Sequence, residues 1–171
     1  LMEKVPESYT LQVALKGEAD EFTLKVGARY IHSKYSPMLE AKKSLSLLIE
    51  KSFILSNFCF FGIGLGYLAE LFIKKIPNVS VILVEPDIFI FILFLASREL
   101  DVFFSHNSLV LLPATSPSES IGVLEALKVK KKSSFYFKAC LDVSNGWMEE
   151  FETLRMRHRK KNELNFNTLK K

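Results

Sequence analysis

Short apolar runs alternate with helix-length segments from residue 57 onward, and this alternation constrains the fold more than any other feature. Helical patterns occupy GYLAELFIKKI and the segments from about 87 to 99 and about 117 to 128. The apolar runs between them are NFCFF, VSVILVE, SLVLL and SSFYFKAC. Continuous apolar strands that alternate with helices are typical of a parallel sheet buried on both faces. The sequence therefore predicts an α/β fold with a Rossmann-like, mostly parallel sheet and helices on both faces.

The N-terminal residues follow a different pattern, in which apolar and polar positions alternate. YTLQVAL and EFTLKVGARYIHS are separated by a polar stretch that contains a glycine, which predicts a hairpin of two strands. A helix then follows in SPMLEAKKSLSLLIEK, with Ser36 as the N-cap and Pro37 at the first helical position. We therefore divide the chain into a small β cap at 1–35, a Rossmann-like domain at 36–146, and a C-terminal helix with a lead-in to a missing domain at 147–171.

The size and composition are those of an ordinary globular domain. The chain has 171 residues, of which 49% are hydrophobic and 25% charged, so one compact unit is expected. The longest apolar stretch, IFIFILFLAS, has about ten residues, whereas a bilayer requires roughly 20, so we expect a buried helix and no membrane span. We recognise no secretory signal pattern at the start, and a cytoplasmic location is expected.

The cysteines, histidines and charges point to no metal or nucleic-acid site. Cys59 and Cys140 lie in apolar runs without CxxC spacing, which predicts two buried thiols. His106 and His158 lie in polar surroundings and are predicted to be surface residues. The net charge of +4 comes largely from two local clusters, at 128–132 and 155–161, and the second of these is predicted to lie on a solvated helix. Nucleic-acid binding is therefore not expected.

The stretch FCFFGIGLGYLAEL carries three glycines between a strand and a helix. Gly62, Gly64 and Gly66 allow positive φ and close approach of another group to the backbone. Such a turn, together with the start of the following helix, can direct several N–H groups at an anion. Close packing of the helix on the strand would select the same glycines, so the motif alone leaves both roles open.

An acidic residue at the end of the next strand favours a ligand site. Glu85 ends VSVILVE and follows Gly62 by 23 positions. In Rossmann-type sites an acid at this place accepts hydrogen bonds from ribose hydroxyls. Asp87 stands directly before an apolar helical run and is equally well explained as a helix N-cap or as a ligand contact.

The region between the cap and the first helix offers further candidates. Lys34 and Tyr35, with His32 close by, precede the helix near the place that the glycine turn is expected to face. They are candidates to bind a phosphate or to close over a ligand, and Tyr35 equally well covers the core while Lys34 is solvated. No GxSxG, HExxH, Walker, DxD or Ser-His-Asp pattern is present, so no catalytic residue is assigned.

The glycine turn and Glu85 together resemble the nucleoside-binding half of S-adenosylmethionine-dependent methyltransferases. That resemblance implies a methyl donor as cofactor. Those enzymes usually carry Asp or Glu two positions before the first glycine, where this chain has Phe60. No catalytic segment like NPPY or DPPY follows. A stand-alone methyltransferase-like domain is therefore the alternative hypothesis.

Three ordered landmarks resemble the N-terminal domain of the motility accessory factor (Maf) flagellin glycosyltransferases. They are GARYIHSKYSPMLEAKK at 27–43, FGIGLGYLAEL at 61–71 and VILVEPDIFIF at 81–91. The family has a Lys-Tyr-x-Pro segment before a helix, a Phe-Gly-x-Gly-x-Gly-Tyr turn and a Val-x-Glu-Pro strand end in the same order. The closing NFNTLKK, at 165–171, resembles the lead-in to the family's central domain.

This second resemblance implies a bacterial, cytoplasmic enzyme that transfers nonulosonic acid sugars from a CMP-activated donor to Ser or Thr of flagellin. It places catalysis in the central domain, beyond this chain, so the chain alone is not expected to be catalytic. For the N-terminal domain it implies oligomer contact, docking of flagellin, or binding of a nucleotide such as a CMP-sugar. A non-catalytic assembly module whose glycine turn binds nothing is the third hypothesis.

Overall fold

The structure, a computed structural model, describes residues 4–17, 21–51, 57–127, 129, 133–137, 146–160 and 167–169. These residues form an antiparallel sheet near the N-terminus, a parallel sheet, and helices that pack on the parallel sheet. In chain order the elements are β1 Tyr9–Val13, β2 Phe22–Val26, β3 Arg29–Tyr30, α1 Pro37–Lys51, β4 Asn57–Phe61, α2 Tyr67–Lys75, β5 Ser80–Glu85, α3 Ile88–Ser97, α4 Asp101–Phe104, β6 Leu109–Pro113, α5 Pro117–Ala126, β7 Ser133–Phe137, α6 Trp147–Lys160 and β8 Asn167–Leu169.

The parallel sheet has the strand order β6-β5-β4-β7-β8, with β4 in the centre. Side chains on β4 alternate between the two faces of the sheet. Phe58 and Phe60 point into a core that α1 to α4 cover. Cys59 and Phe61 point into a second core, which α5 and α6 cover. The predicted mixed α/β architecture, with helices on both faces of a parallel sheet, is confirmed.

The predicted N-terminal β cap is an antiparallel sheet of three strands in the order β1-β2-β3. The sequence pattern predicted only two strands, because it took EFTLKVGARYIHS as one run. Gly27 divides this run, since its φ of 56° turns the chain back so that β3 pairs with β2. Leu24 and Ile31 of the cap share a core with Leu65 and Tyr67.

The predicted helices begin close to the expected residues. Ser36 caps α1 by accepting a hydrogen bond from the Leu39 N–H at 3.2 Å, as predicted. The apolar helix α3 is confirmed as a helix but is only half buried. Ile90 and Phe94 are covered, whereas Ile88 and Leu95 are 39% and 36% exposed. The reason is that α3 lies at the surface over β5 and β1, so the described part of the chain covers one side of it.

The C-terminal segment contributes to the same layered structure. Trp147 and Phe151 of α6 pack against Phe61 of β4, with ring centroids 5.7 and 4.7 Å apart. The strand β8 pairs in parallel with β7, although the sequence pattern predicted no strand in NFNTLKK. Cys59 is buried, as predicted, and burial raises the pKa of its thiol. Cys140 lies outside the described residues.

Candidate functional site

The glycine turn joins β4 to α2 at the carboxyl end of the central strand. The connection that leaves β4 here leads to β5 on one side of it, and the later connection that leaves β6 leads to β7 on its other side. Ligands of open α/β sheets commonly bind at such a switch point. The turn therefore lies where the sequence analysis expected a ligand site, and its own contacts decide what it is able to bind.

The three glycines have positive φ, and contacts within the chain also require two of them. Gly62, Gly64 and Gly66 have φ values of 74°, 56° and 76°, a region that other residues rarely adopt. A Cβ atom on Gly64 would lie 2.5 Å from Nε2 of His32. One on Gly66 would lie 2.5 Å from the ring of Phe94. Side chains of the protein itself thus occupy the space that these glycines leave open.

The main-chain N–H groups of the turn also have partners within the chain. The Gly62 N–H donates to the Val84 carbonyl at 2.8 Å, and the Gly66 N–H donates to the Ile63 carbonyl at 3.0 Å. Two side chains accept the others. Gly64 N–H donates to Oε2 of Glu85 at 3.0 Å, and Leu65 N–H donates to Nε2 of His32 at 2.7 Å. An anion could use the last two groups only by displacing both side chains.

Glu85 points into the turn and is 2% exposed. Besides the Gly64 bond, its Oε1 accepts from the Asp87 N–H at 3.2 Å. Burial raises the pKa of the Glu85 carboxyl to about 7, against the opposing effect of hydrogen bonds from the N–H groups of Gly64, Asp87 and Ile63. The carboxylate is therefore a poorly solvated group whose hydrogen-bonding capacity serves the main chain.

His32 is the second acceptor, and it is 5% exposed. Its ring packs edge-on against Tyr67, with centroids 5.4 Å apart, and its carbonyl accepts from the Thr23 hydroxyl at 3.0 Å. Because Nε2 accepts from an N–H, the ring proton of the neutral form lies on Nδ1, which is 4.0 Å from the Glu40 carboxylate. The sequence pattern places His32 near the turn but does not predict this bond, since no local feature pairs His32 with Leu65.

Asp87 is an N-cap, one of the two roles predicted for it. Its Oδ1 accepts from the N–H groups of Phe89 and Ile90 at 2.9 and 3.3 Å. Its Oδ2 accepts from the Tyr9 hydroxyl at 2.5 Å, and burial together with Asp87 raises the pKa of Tyr9. The residue thus connects the start of α3 to the first strand of the cap.

Lys34 and Tyr35 lie on the exposed surface of the cap. The Lys34 ammonium lies 5.0 Å from the centre of the Tyr35 ring, and that of Lys16 lies 5.7 Å from it. Tyr35 is 47% exposed. Their described contacts are with the end of the cap, whereas the neighbouring His32 makes the contact with the glycine turn.

A second set of contacts, which the sequence analysis did not identify, fastens the cap to α2. The Tyr67 hydroxyl donates to the Phe22 carbonyl at 2.8 Å and accepts from the Phe22 N–H at 2.9 Å. The guanidinium of Arg98 lies over the Tyr67 ring, 4.2 Å from its centre, and also pairs with Glu70. These partners are far apart in sequence, so no local sequence pattern predicts the contacts between them.

A small cavity lies between α1 and the glycine turn. Its volume is about 20 Å³, which is room for a water molecule, whereas sites for drug-sized ligands occupy roughly 300 Å³ or more. The residues that line it are His32, Pro37, Glu40, Ala41, Ser44, Phe60, Gly62, Ile63, Tyr67, Leu68, Ala69 and Tyr136. This cavity therefore has no room for a nucleotide.

Phe60 occupies the place at which methyltransferases usually carry an acid. It is 3% exposed and packs against other aromatic rings. The nearest ring centroids are those of Phe58, Phe72 and Tyr136, at 4.6, 5.3 and 6.0 Å. The position is part of the core, and no polar group replaces the missing carboxylate in these contacts.

The described residues contain neither a membrane-spanning helix nor a cluster of metal ligands. None of their helices is both long and apolar enough to cross a membrane. Within the same residues, His, Cys, Asp and Glu side chains form no group of three or more that could hold a metal ion. His106 contacts the Val79 carbonyl at 2.9 Å, and His158 pairs with Glu125.

No protein-family model matches the chain. The chain is similar to a protein of Treponema pallidum (strain Nichols) that is described as uncharacterized, with 36% identity over 152 residues. The match covers 88% of this chain and 51% of the relative. The chain thus spans about half the length of the relative that it matches.

Proposed function

We propose that the chain is a Rossmann-like, non-catalytic N-terminal module of a Maf-like glycosyltransferase, which modifies flagellin with nonulosonic acid sugars in the cytoplasm. The strand order supports the Rossmann-like assignment. Counted from β4, the sheet reads third, second, first, fourth and fifth strand, which is the order of the first five strands of a Rossmann sheet. Catalysis and the CMP-activated donor belong, in this proposal, to the part of the enzyme outside residues 1–171.

One observation carries the proposal: the three landmarks of the Maf resemblance form a single hydrogen-bonded unit. His32 of the first landmark accepts from Leu65 of the second. Glu85 of the third accepts from Gly64 of the second. In this chain the turn therefore depends on a side chain from each of the other two landmarks. The shared motif is then explained as the structural centre of a module.

The geometry favours a structural role for the turn over nucleotide binding. The N–H groups of Gly64 and Leu65 have acceptors within the chain, and the space beside Gly64 and Gly66 contains His32 and Phe94. Ligand binding by Gly62, Gly64, Gly66, Glu85, Asp87, Lys34 and Tyr35 stays a prediction. In the proposed module, Glu85 joins the turn to β5, and Asp87 joins the start of α3 to the cap. Lys34 and Tyr35 lie on the exposed surface of the cap.

The length of the relative supports a module of a longer protein. The similar Treponema protein extends well beyond the matched region, which covers 51% of it. The resemblance of NFNTLKK to the start of a central catalytic domain points the same way.

The function is tested with the protein encoded by the complete reading frame. The full-length protein, a version that lacks residues 1–171, and residues 1–171 alone are each incubated with flagellin and a CMP-activated pseudaminic or legionaminic acid. Mass spectrometry of flagellin then reports sugar transfer. We expect transfer by the full-length protein and none by residues 1–171 alone. A reading frame that ends at Lys171, or a full-length protein that leaves flagellin unmodified with both donors, would contradict the proposal.

A methyltransferase-like domain is the second candidate, because the strand order and the position of Glu85 are also found in S-adenosylmethionine-binding folds. This candidate requires the Glu85 side chain to turn away from Gly64 and to accept hydrogen bonds from the ribose hydroxyls of the cofactor. Calorimetry of S-adenosylmethionine with the wild type and Glu85→Gln distinguishes the two. Binding by the wild type that the variant loses would favour this candidate.

A further inference from the structure

The end of the cap and the start of α1 form an exposed surface on which lysines and apolar side chains alternate. We call it the lysine–leucine surface, and it comprises Lys16, Lys34, Tyr35, Leu39, Lys43 and Leu47. Leu39 and Leu47 are 52% and 54% exposed, and Tyr35 is 47% exposed. The three lysines are also exposed, and within the described chain none of them forms an ion pair.

The cap half of this surface is held in place by the main chain. The Leu15 N–H donates to the Lys34 carbonyl at 2.9 Å, and the Lys16 N–H donates to the Tyr35 carbonyl at 2.8 Å. These bonds place two lysines on one aromatic ring, with ammonium-to-centroid distances of 5.0 and 5.7 Å. Both distances are in the range of cation–π contact. Two ammonium groups thus lie near the same exposed aromatic ring.

The helix half continues directly from Tyr35. Leu39, Lys43 and Leu47 are spaced four residues apart, so they follow one another along a single face of α1. The face therefore presents a positive charge between two apolar side chains. A face that combines exposed apolar side chains with lysines offers both apolar contact and positive charge to a partner.

We propose that the lysine–leucine surface binds an acidic protein segment in which apolar residues flank the acids. Charge complementarity argues for the acids, which would pair with Lys16, Lys34 and Lys43. The exposed Leu39 and Leu47 argue for the apolar residues, because they would lose contact with water on binding. This proposal concerns a surface separate from the glycine turn and does not depend on the turn's role.

Two other classes of partner suit the surface less well. A single-stranded nucleic acid would stack its bases on an aromatic face, but lysine ammonium groups lie over the Tyr35 ring. A membrane-surface helix presents a continuous apolar face, but Lys43 interrupts the stripe between Leu39 and Leu47. A peptide that alternates acidic and apolar side chains matches both features.

The test measures binding of a fluorescein-labelled peptide of repeating Glu-Glu-Leu units by fluorescence anisotropy at physiological salt. A matched peptide carries Lys in place of each Glu. The variants are the double substitution Lys16→Glu with Lys34→Glu, and Leu39→Ser with Leu47→Ser. The control is Lys4→Glu with Lys75→Glu, which makes the same charge change at two other exposed lysines. Circular dichroism checks that each variant is folded.

We expect saturable binding of the acidic peptide only, weakened about tenfold or more by either surface variant and less than about threefold by the control. Equal weakening by the surface and control charge variants would overturn the proposal, since it would show an effect of net charge alone. No binding of the acidic peptide, or tighter binding of phosphatidylglycerol vesicles or poly(U) that the same variants abolish, would also overturn it.

Discussion

The main-chain N–H of Gly64 donates to the Glu85 carboxylate at 3.0 Å, across 21 positions of sequence. This bond joins the turn after β4 to the end of β5, and it uses two groups that a nucleotide site would need. The glycine would offer its N–H to a phosphate, and the acid would accept from a ribose. In this protein the two groups form a hydrogen bond with each other instead.

Gly64→Ala is expected to destabilise the protein by about 2 to 5 kcal/mol. A left-handed conformation costs a residue with a Cβ roughly 1 to 2 kcal/mol, and displacement of His32 leaves the buried Leu65 N–H without its acceptor at a cost of roughly 1 to 3 kcal/mol. Chemical denaturation measures the change in the free energy of unfolding.

Gly27→Ala is the matched control for that substitution. Gly27 has the same φ of 56°, but a Cβ there would meet nothing within 4 Å. The Gly27→Ala protein should therefore lose only the free energy that the left-handed conformation costs, about 1 to 2 kcal/mol. Equal losses at the two glycines would show that contact with His32 is not what requires Gly64.

Glu85→Gln is expected to change how stability depends on pH. The folded Glu85 carboxyl titrates at about 7 and the unfolded one at 4.5, so the folded state binds the additional proton between these values. Its contribution to stability is fully present below pH 4.5 and is lost as the pH rises through 7, by roughly 3 kcal/mol at most.

The measurement is chemical denaturation of the wild type and Glu85→Gln at several values between pH 5 and 8. The wild type should lose stability relative to the variant as the pH rises. Glu70 does not interfere with this measurement. Burial raises the pKa of its carboxyl, but Lys74 and Arg98 lower it by more, so the pKa is below its usual value. The effect of Glu70 on stability therefore changes with pH only below the range that is measured. A difference between the two proteins that stays constant across this range would argue against a buried, titrating Glu85.

His32 is expected to carry its proton on Nδ1 in the neutral form. Nε2 accepts from the Leu65 N–H at 2.7 Å, so it cannot itself carry a proton in this arrangement. Nitrogen-15 NMR of the imidazole ring distinguishes the protonated nitrogen from the unprotonated one. A proton on Nε2 in the folded protein would mean that the bond to Leu65 is not formed.

Phe60→Asp should not create a methyl-donor site. The side chain is 3% exposed among aromatic rings, so a carboxylate there would be buried without partners, at a cost of several kcal/mol. Phe60→Leu, the apolar control, should cost only about 1 kcal/mol. A folded Phe60→Asp variant that binds S-adenosylmethionine in calorimetry would contradict this expectation and strengthen the methyltransferase hypothesis.

The sequence predicted those parts of the fold that leave a periodic trace. The apolar runs located β4 to β7, and Ser36 and Pro37 located the start of α1, because strand burial and helix capping are local properties. β8 and the division of the cap at Gly27 were missed. A strand as short as β8 has too few residues for a pattern, and Gly27 was taken as part of a strand.

The position of the candidate site was predictable, but its contacts were not. GIGLG and Glu85 located the carboxyl ends of β4 and β5, which parallel pairing places side by side. Whether Glu85 faces outward or into the turn depends on its side-chain conformation, which no sequence pattern specifies. The other acceptor, His32, is 33 positions from Leu65. Such long-range pairings require the three-dimensional structure.

The central claim is that His32 and Glu85 already occupy the hydrogen-bond donors of the glycine turn. The most direct test is a two-dimensional amide NMR titration of the wild-type protein with CMP and with S-adenosylmethionine up to millimolar concentration. We expect the Gly64 and Leu65 amide resonances to keep their positions with both compounds. Saturable shifts at these two amides with either compound would show that the turn binds a nucleotide or nucleoside, and would contradict the account.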